Sequence, residues 1–200
     1  MITLTVLASL AALAVGLLLY AHSRPDYATV ARSIRIQASP QAIFPFLDDL
    51  RLVGAWSPFE QLDPAAKRRF SGSPRGTGAV YEWDGNDKLG SGRMEIIDTA
   101  PGKRVILELE FFRPFKADSL VEFSLKPVSG GTEVRWEMDG ARPFIVKLLG
   151  LFLNLEEING REFEKGLVAL KALVEGPEQP KDYWPVARGL ATPSAPRRAA

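Results

Sequence analysis

Cysteine is absent from the 200-residue sequence, and histidine occurs once, at position 22. Without cysteine the chain has no disulfide, no thiolate nucleophile and no cysteine-ligated metal. Because His22 lies just beyond an apolar N-terminal stretch, a histidine-based metal centre or a Ser-His-Asp triad in the remaining sequence is also excluded. We therefore expect no metal site and no cofactor.

An excess of charge of either sign is also missing. The chain has a formal net charge of +1, and residues 24–175 hold 21 Lys and Arg against 22 Asp and Glu, which gives −1. Nucleic-acid-binding domains normally carry a concentrated basic surface, so we predict no nucleic-acid partner. With 46% hydrophobic residues, the chain suits one globular domain with appendages and leaves no room for a second full domain.

Charged residues are absent altogether from residues 2–21, which are rich in Leu, Ala and Val. At about 1.5 Å of rise per residue, a helix of this length spans the roughly 30 Å hydrocarbon core of a bilayer. We predict a single-pass membrane anchor at residues 1–23. A cleaved signal peptide and a buried core helix are the alternatives, but the basic n-region of the first and the polar stripe of the second are missing.

The expected domain is flanked by two shorter segments. We predict a linker at residues 24–29, the domain at residues 30–175 and a disordered tail at residues 176–200, which contain five prolines. Arg24 follows the anchor and only the terminal amine precedes it, so the positive-inside rule favours a cytoplasmic domain.

The domain opens with a change from strand to helix periodicity. Apolar side chains recur at period two between residues 30 and 36, as in a half-buried strand. Ser39 then provides an N-cap and Pro40 suits the first helical position. Pro45 lacks an N–H, so it should kink this helix or confine regular helix to the residues after it. The helical region should end at residues 56–58.

Alternating apolar and polar residues predict further strands, starting with a short one at residues 67–70. The apolar faces of the others are Ala79, Tyr81 and Trp83; Met94 and Ile96; Val105, Leu107, Leu109 and Phe111; Val121, Phe123 and Leu125; and Val134, Trp136 and Met138. Short turns with Gly and Pro separate them, which is typical of an antiparallel sheet with one buried face.

A terminal helix is predicted over Leu155–Glu175 to cover that face. Its apolar stripe comprises Leu155, Ile158, Phe163, Leu167, Leu170 and Val174. Residues 143–153 before it are apolar on nearly every side except at Lys147, and at 11 residues they are too short to span a bilayer. They are interpreted as core, as a mobile gate or as an interfacial membrane contact.

Several of these segments resemble the START-like, or SRPBCC, superfamily, and in particular its small bacterial members labelled polyketide cyclase/dehydrase. The matching segments are RSIRIQASPQAIFPFLDDLRLVGAWSP at residues 32–58, Gly76-Thr77-Gly78, Gly90-Ser91-Gly92, and residues 131–138 and 163–167. The resemblance implies an α+β helix-grip fold, in which a curved antiparallel sheet wraps around a long C-terminal helix and encloses a cavity. Its members range from enzymes to lipid carriers, so fold alone does not give function.

The leading hypothesis is a non-catalytic, membrane-anchored module that binds a small hydrophobic or lipid-like ligand. The candidate ligand-binding residues are Trp56, Phe59, Tyr81, Trp83, Met94, Phe111, Phe123, Trp136, Met138, Phe144 and Phe163. The alternative for the aromatic ones is that they simply fill the core, because aromatic side chains supply much of the buried surface of any domain. Oligomeric state is not indicated.

Two other functions remain open. A cyclase/dehydrase-type enzyme would use the same cavity, and Glu82, Asp84 and Arg93 are its candidate catalytic residues, although most charged residues of the strands are predicted on the outer face. Asp48 and Asp49 are expected nearer the cavity mouth. A membrane-tethered protein-interaction module would instead use the tail.

Overall fold

The N-terminal stretch forms one long exposed helix. The computed structural model describes residues 2–176, so the predicted tail lies outside the described residues apart from Gly176. The helix, α1 (Ile2–Ser23), has exposed side chains from Thr3 onward with the exception of Ala21. Its interpretation as a buried core helix is therefore wrong. This helix is long and apolar enough to cross a membrane, and the same is true of many signal sequences, so both of these interpretations stay open.

Seven strands form one antiparallel sheet in the order β1-β7-β6-β5-β4-β3-β2. They are β1 (Tyr27–Ile36), β2 (Lys67–Gly72), β3 (Ala79–Asp84), β4 (Ser91–Ala100), β5 (Arg104–Arg113), β6 (Ala117–Val128) and β7 (Gly131–Ala141). After β1 the chain crosses to the far edge and returns strand by strand until β7 pairs with β1. The first strand begins inside the expected linker, because residues 27–29 pair with residues 139–141.

The predicted alternation is confirmed, as β3 illustrates. Ala79, Tyr81 and Trp83 are buried, whereas Glu82 is half-buried and Asp84 is exposed on the other side. Successive side chains of a strand point to opposite faces, so the inner face collects the large apolar residues.

A broken helical segment connects β1 to β2. It comprises α2 (Pro40–Ile43), α3 (Pro45–Asp48) and two 3₁₀ helices, Leu50–Ala55 and Pro58–Gln61. The Ser39 side chain caps α2 by accepting from the N–H of Ala42, as expected. The expected break at Pro45 is also confirmed, since this residue starts a new helix instead of continuing the first.

The long C-terminal helix α5 (Leu155–Glu175) packs against β1 and β7 and has the predicted bounds. Phe163, Leu167 and Leu170 are fully buried on its inner side. Gly160 and Gly166 let this helix approach the sheet closely. A Cβ at Gly166 would lie 2.8 Å from Cζ3 of Trp136, and a Cβ at Gly160 would meet the Arg32 side chain. This arrangement confirms the α+β helix-grip fold.

One side chain of the predicted apolar stripe of α5 differs from expectation. Ile158 is 48% exposed and lies outside the apolar stripe. Nine residues, or about two and a half turns, separate it from Leu167, so the two side chains point in opposite directions. Arg32 of β1 lies against Gly160 of α5 and its Nε donates to Glu164 Oε1 at 2.7 Å, so this strand position faces the helix.

A short helix, α4 (Phe144–Leu149), contacts α1 instead of entering the core. Lys147 is its buried residue, and its Nζ donates to Asp26 Oδ1 at 2.5 Å, which lowers the pKa of that carboxyl. The interpretation of residues 143–153 as ordinary core is wrong, because Phe152 is 73% exposed and Phe144 46% exposed.

Gly166→Ala is expected to lower the free energy of unfolding by about 1–2 kcal/mol, because the new Cβ would press on the rigid ring of Trp136 and on Pro58. Gly160→Ala is the matched control. There the new Cβ would displace only the guanidinium end of the flexible Arg32 side chain, whose ion pairs with the exposed Glu157 and Glu164 contribute little, and alanine gains up to about 1 kcal/mol of helix propensity over glycine. Denaturant unfolding of the full chain in detergent micelles measures both. Equal losses would contradict the tight packing at Gly166.

Candidate ligand-binding cavity

A cavity of about 460 Å³ lies between the inner face of the sheet, the connection from α3 to the second 3₁₀ helix, and α4 and α5. Its volume falls in the range of about 300–1,000 Å³ that is typical of small-molecule sites. Alternate residues of the strands line it, for example Leu107, Leu109 and Phe111 of β5. The cavity exists because α5 covers the sheet mainly at the edge formed by β1 and β7, so the inner faces of the other strands are left facing this space.

Ten of the eleven predicted ligand-binding residues line this cavity: Trp56, Phe59, Tyr81, Trp83, Met94, Phe111, Phe123, Trp136, Met138 and Phe163. Those on strands share the inner face of the sheet, because alternate residues of a strand point to the same side. Phe144 lies outside the lining. Its helix contributes Val146 instead. A helix of six residues has too few turns for sequence periodicity to show which side faces inward.

Stacked and edge-on aromatic rings give one wall of the cavity a fixed shape. The rings of Trp136 and Phe163 stack with centroids 4.2 Å apart, and Trp56 meets Trp136 edge-on at 5.5 Å. The indole N–H of Trp56 donates to the carbonyl of Phe46 at 3.0 Å, which holds its ring in place. These aromatic residues therefore serve as core and as cavity lining at once.

Two other indole N–H groups in this wall have no acceptor among the described residues. They belong to Trp83 and Trp136, and both nitrogens are buried. A buried donor that is left unpaired costs about 1–3 kcal/mol, and buried tryptophans usually have a partner. These two unpaired donors therefore lower the stability of the folded chain relative to a lining made only of hydrocarbon side chains.

A buried polar cluster consists of Glu60 and Tyr81, which line the cavity, and Arg68, which does not. Glu60 Oε1 accepts from the Tyr81 hydroxyl at 2.6 Å, and Glu60 Oε2 accepts from Arg68 Nε at 2.6 Å. Burial, together with the negative charge of Glu60, raises the pKa of the Tyr81 phenol. Tyr81 is thus a protonated hydrogen-bond donor at neutral pH, beside a carboxylate whose charge Arg68 compensates.

Sequence reasoning missed Glu60 as a cavity residue. It lies on a four-residue 3₁₀ helix, where neither helical nor strand periodicity shows the direction of a side chain. Its partner Arg68 is on the edge strand β2 and also donates to the carbonyls of Asp63 and Ala66, at 3.0 and 2.9 Å. Arg68 therefore holds in place both the loop before β2 and the Glu60 side chain of the cavity wall.

Further polar side chains in the lining lie toward solvent. Lys88, Arg113 and Glu156 are exposed, which marks the opening of the cavity. Arg142 forms an ion pair with Glu156, and Arg113 Nε donates to Ser91 Oγ at 3.1 Å. The opening is thus polar and the interior largely apolar.

The three predicted catalytic residues lie on the outer face of the sheet and outside the lining. Glu82 pairs with Arg69 at 3.5 Å, and Arg93 pairs with Glu110, its direct neighbour across β4 and β5, at 3.3 Å. Asp84 reaches the cavity opening only indirectly, through an ion pair with Arg113. These residues form cross-strand pairs, as expected of charges on a solvated face.

Asp48 and Asp49 also lie outside the cavity lining. Burial raises the pKa of Asp48, while Asp49 caps the 3₁₀ helix Leu50–Ala55 by accepting from the backbone N–H of Arg51 at 3.0 Å. Within residues 2–176, no three His, Asp or Glu side chains converge where they could hold a metal ion.

A family model described as "Polyketide cyclase / dehydrase and lipid transport" matches residues 27–175. The match starts at the first residue of β1 and ends at the last residue of α5, so it contains every element of the cavity. Among curated proteins, none matches the chain.

Solved structures share the fold at low sequence identity. A crystal structure from Mesorhizobium loti has 19% identity and a TM-score of 0.56, and covers 76% of this chain and 99% of its own. One from Chromobacterium violaceum has 17% identity, a TM-score of 0.52 and coverages of 76% and 99%. The Aha1 dimer from Colwellia psychrerythraea, solved in solution, has 17% identity, a TM-score of 0.52 and coverages of 74% and 96%.

Tyr81 is expected to stay protonated at a pH where an ordinary phenol, with a pKa of about 10, has ionised. Tyr81→Phe should therefore leave the tyrosinate absorbance of the folded chain unchanged at about pH 11. Circular dichroism at the same pH serves as the control for folding. If the wild type showed one tyrosinate more than the variant while both were folded, the burial of this phenol would be refuted.

Proposed function

Because the chain belongs to the polyketide cyclase/dehydrase and lipid transport family, we propose that it is a membrane-anchored module that binds a small hydrophobic or lipid-like molecule in its sheet–helix cavity. The observation that carries this proposal is the cavity itself, which combines a volume of about 460 Å³ with a lining of large apolar side chains. A fold that only needed a core would gain stability by filling this space.

The polar cluster defines the chemistry of the ligand more closely. An apolar chain suits the lining formed by β5 and β6, while the Glu60 carboxylate and the Tyr81 hydroxyl offer hydrogen bonds at one place in the wall. A buried carboxylate is costly unless its remaining hydrogen-bonding capacity is used. We therefore favour an amphiphile with one polar end over a pure hydrocarbon.

The proposed anchor would hold this cavity at a membrane. With 22 residues, α1 is about 33 Å long, which matches the hydrocarbon core of a bilayer. Near its C-terminal end the Arg24 guanidinium lies 5.7 Å from the centroid of the Tyr20 ring, and aromatic and basic side chains are both favoured at the membrane interface. Arg24 also favours a cytoplasmic domain by the positive-inside rule.

A cyclase-type enzyme is a second candidate, and the Glu60–Tyr81 pair is the observation that favours it. The Tyr81 hydroxyl would turn its one proton from Glu60 to a substrate carbonyl, and an apolar cavity orients a reactive chain while excluding water. This pair replaces Glu82, Asp84 and Arg93 as the group to test, because it lines the cavity and they do not.

The ligand-binding proposal predicts that Val121→Phe, which adds bulk inside the cavity, reduces the bound amphiphile seen by native mass spectrometry by about tenfold or more. Leu120→Phe is the matched control, since Leu120 is its neighbour on β6 and is 44% exposed on the outer face. Near-UV circular dichroism checks that both variants are folded. A wild-type chain that is consistently recovered without ligand would refute the proposal.

The enzyme candidate predicts a different result. If the chain converts a linear poly-β-keto thioester, Glu60→Gln and Tyr81→Phe should each lower kcat by about 100-fold or more. Glu82→Gln should leave kcat unchanged. Equal rates in all three variants would remove the Glu60–Tyr81 pair from the mechanism.

A further inference from the structure

We propose that the exposed apolar side chains around α4 form a surface that docks on the bilayer, and that the cavity exchanges its ligand with the membrane at this surface. We name it the α4 surface; it comprises Phe144, Ile145, Leu149, Phe152, Leu153 and Ile158. The docking rests on the proposed membrane anchor, and the exchange rests on the proposed ligand binding.

The exposure of these side chains is the first observation. Phe152 is 73% exposed, Leu153 and Ile158 are each 48% exposed, and the other three lie between 37% and 46%. Single apolar residues are common on protein surfaces, but six large ones within fifteen residues form a patch of the kind that marks an interaction site.

The position of the α4 surface identifies the bilayer as its partner. Asp26 lies three residues after the end of α1, so at most about 11 Å of extended chain separates it from the anchor. Its carboxylate accepts from the buried Lys147 of α4, and its carbonyl accepts from the N–H of Arg142 at 2.6 Å. α4 also contacts α1 directly, and Ala21 is fully buried. The surface is thereby held beside the point where the anchor leaves the membrane.

The side chains around this point suit an interface. Tyr20 and Tyr27 are 54% and 71% exposed on either side of Arg24, and the α4 surface adds Phe and Leu residues at the same end of α1. Tyr and Arg are favoured at the headgroup level, and Phe and Leu on the apolar face of an interfacial segment insert into the boundary with the acyl chains.

The same short segment also forms part of the cavity wall. Val146 of α4 lines the cavity, as do Leu155 and Asn159 at the start of α5 and Ala141 before α4. Only a few residues therefore separate the cavity from the docked surface. An apolar ligand that passes here avoids the cost of entering water, about 25 cal/mol for each Å² of apolar area.

Single-cysteine labelling of the full chain tests the docking, and no native cysteine competes for the label. Phe152→Cys reports on the α4 surface. Val168→Cys is the matched aqueous control, since Val168 is 57% exposed and lies ten residues beyond Ile158, or about 15 Å along α5. Leu10→Cys reports on the anchor. Each variant carries a nitroxide in phosphatidylcholine vesicles that contain a minority of phosphatidylglycerol.

The expected result is that the labels at positions 152 and 10 are reached by oxygen more readily than by a water-soluble nickel chelate, and that the label at position 168 shows the reverse. An aqueous label at position 152 with a buried label at position 10 would refute the docking and leave the anchor intact. An aqueous label at position 10 would refute the anchor itself. Spin–spin coupling between labels at position 152, without contact with lipid, would assign the surface to a second copy of the chain and refute the proposal.

Transfer of a pyrene-labelled fatty alcohol from vesicles to the full chain tests the exchange. The double variant Phe152→Asp/Leu153→Asp should slow transfer by about tenfold, because acidic side chains resist insertion at the interface, while the final occupancy stays unchanged. Val168→Asp should transfer the probe at the wild-type rate. Equal rates in all three proteins would refute exchange through the α4 surface. A wild-type chain that never takes up the probe would refute the ligand binding on which exchange rests, whereas the labels would still decide the docking.

Discussion

The stacking of Trp136 of β7 on Phe163 of α5 is the contact on which the rest of the molecule depends. The centroids of the two rings are 4.2 Å apart and the rings are nearly parallel. Gly166 lets the helix come close enough to the sheet for this contact. The contact fixes α5 against the edge of the sheet formed by β7 and β1. A seven-stranded sheet is too wide for one helix to cover, so the inner faces of β3 to β6 are left facing a space, and the broken helices between β1 and β2 form the other side of that space. The cavity follows from the geometry of the grip.

Much of this arrangement could be predicted from the sequence, because strand parity is a strong signal. The alternation in β3 and β5 placed Tyr81, Trp83 and Phe111 on the inner face, and the motifs identified the SRPBCC-type family. Short helices carried no comparable signal. Phe144 and Glu60 lie on helices of six and four residues, so the side chain that faces the cavity depends on tertiary packing. The prediction for Ile158 is wrong because an apolar residue on a helix need not lie on its buried face.

The position of the charges says more about the candidate site than the fold does. On the outer face, Arg93 and Glu110 pair across neighbouring strands, where such pairs contribute only about 0.2–1 kcal/mol. Inside, Glu60 and Arg68 have side chains that are 10% and 7% exposed, and the desolvation of such a pair consumes most or all of its electrostatic gain. Stability alone gives little reason to keep a buried pair in the wall of an apolar cavity. The hydrogen bonds of this pair to Tyr81 and to the loop carbonyls hold its two side chains in one position. The pair is therefore a fixed polar group against which a ligand or a substrate can be oriented.

The connection between α1 and the cavity follows a similar logic. A flexible tether would hold a binding module near a membrane without orienting it, but here the chain enters β1 only four residues after α1 ends. Lys147 of α4 has a buried side chain, and its ammonium pairs with the exposed carboxylate of Asp26 in this short connection. The Asp26 carbonyl also accepts from the N–H of Arg142, just before α4, at 2.6 Å. These contacts give α4 a fixed orientation relative to the end of α1. Because α4 contributes Val146 to the cavity wall, these contacts also fix which side of the cavity is nearest to α1. A cavity that only had to be close to a membrane would not need this constraint, whereas one that exchanges apolar molecules with the membrane would.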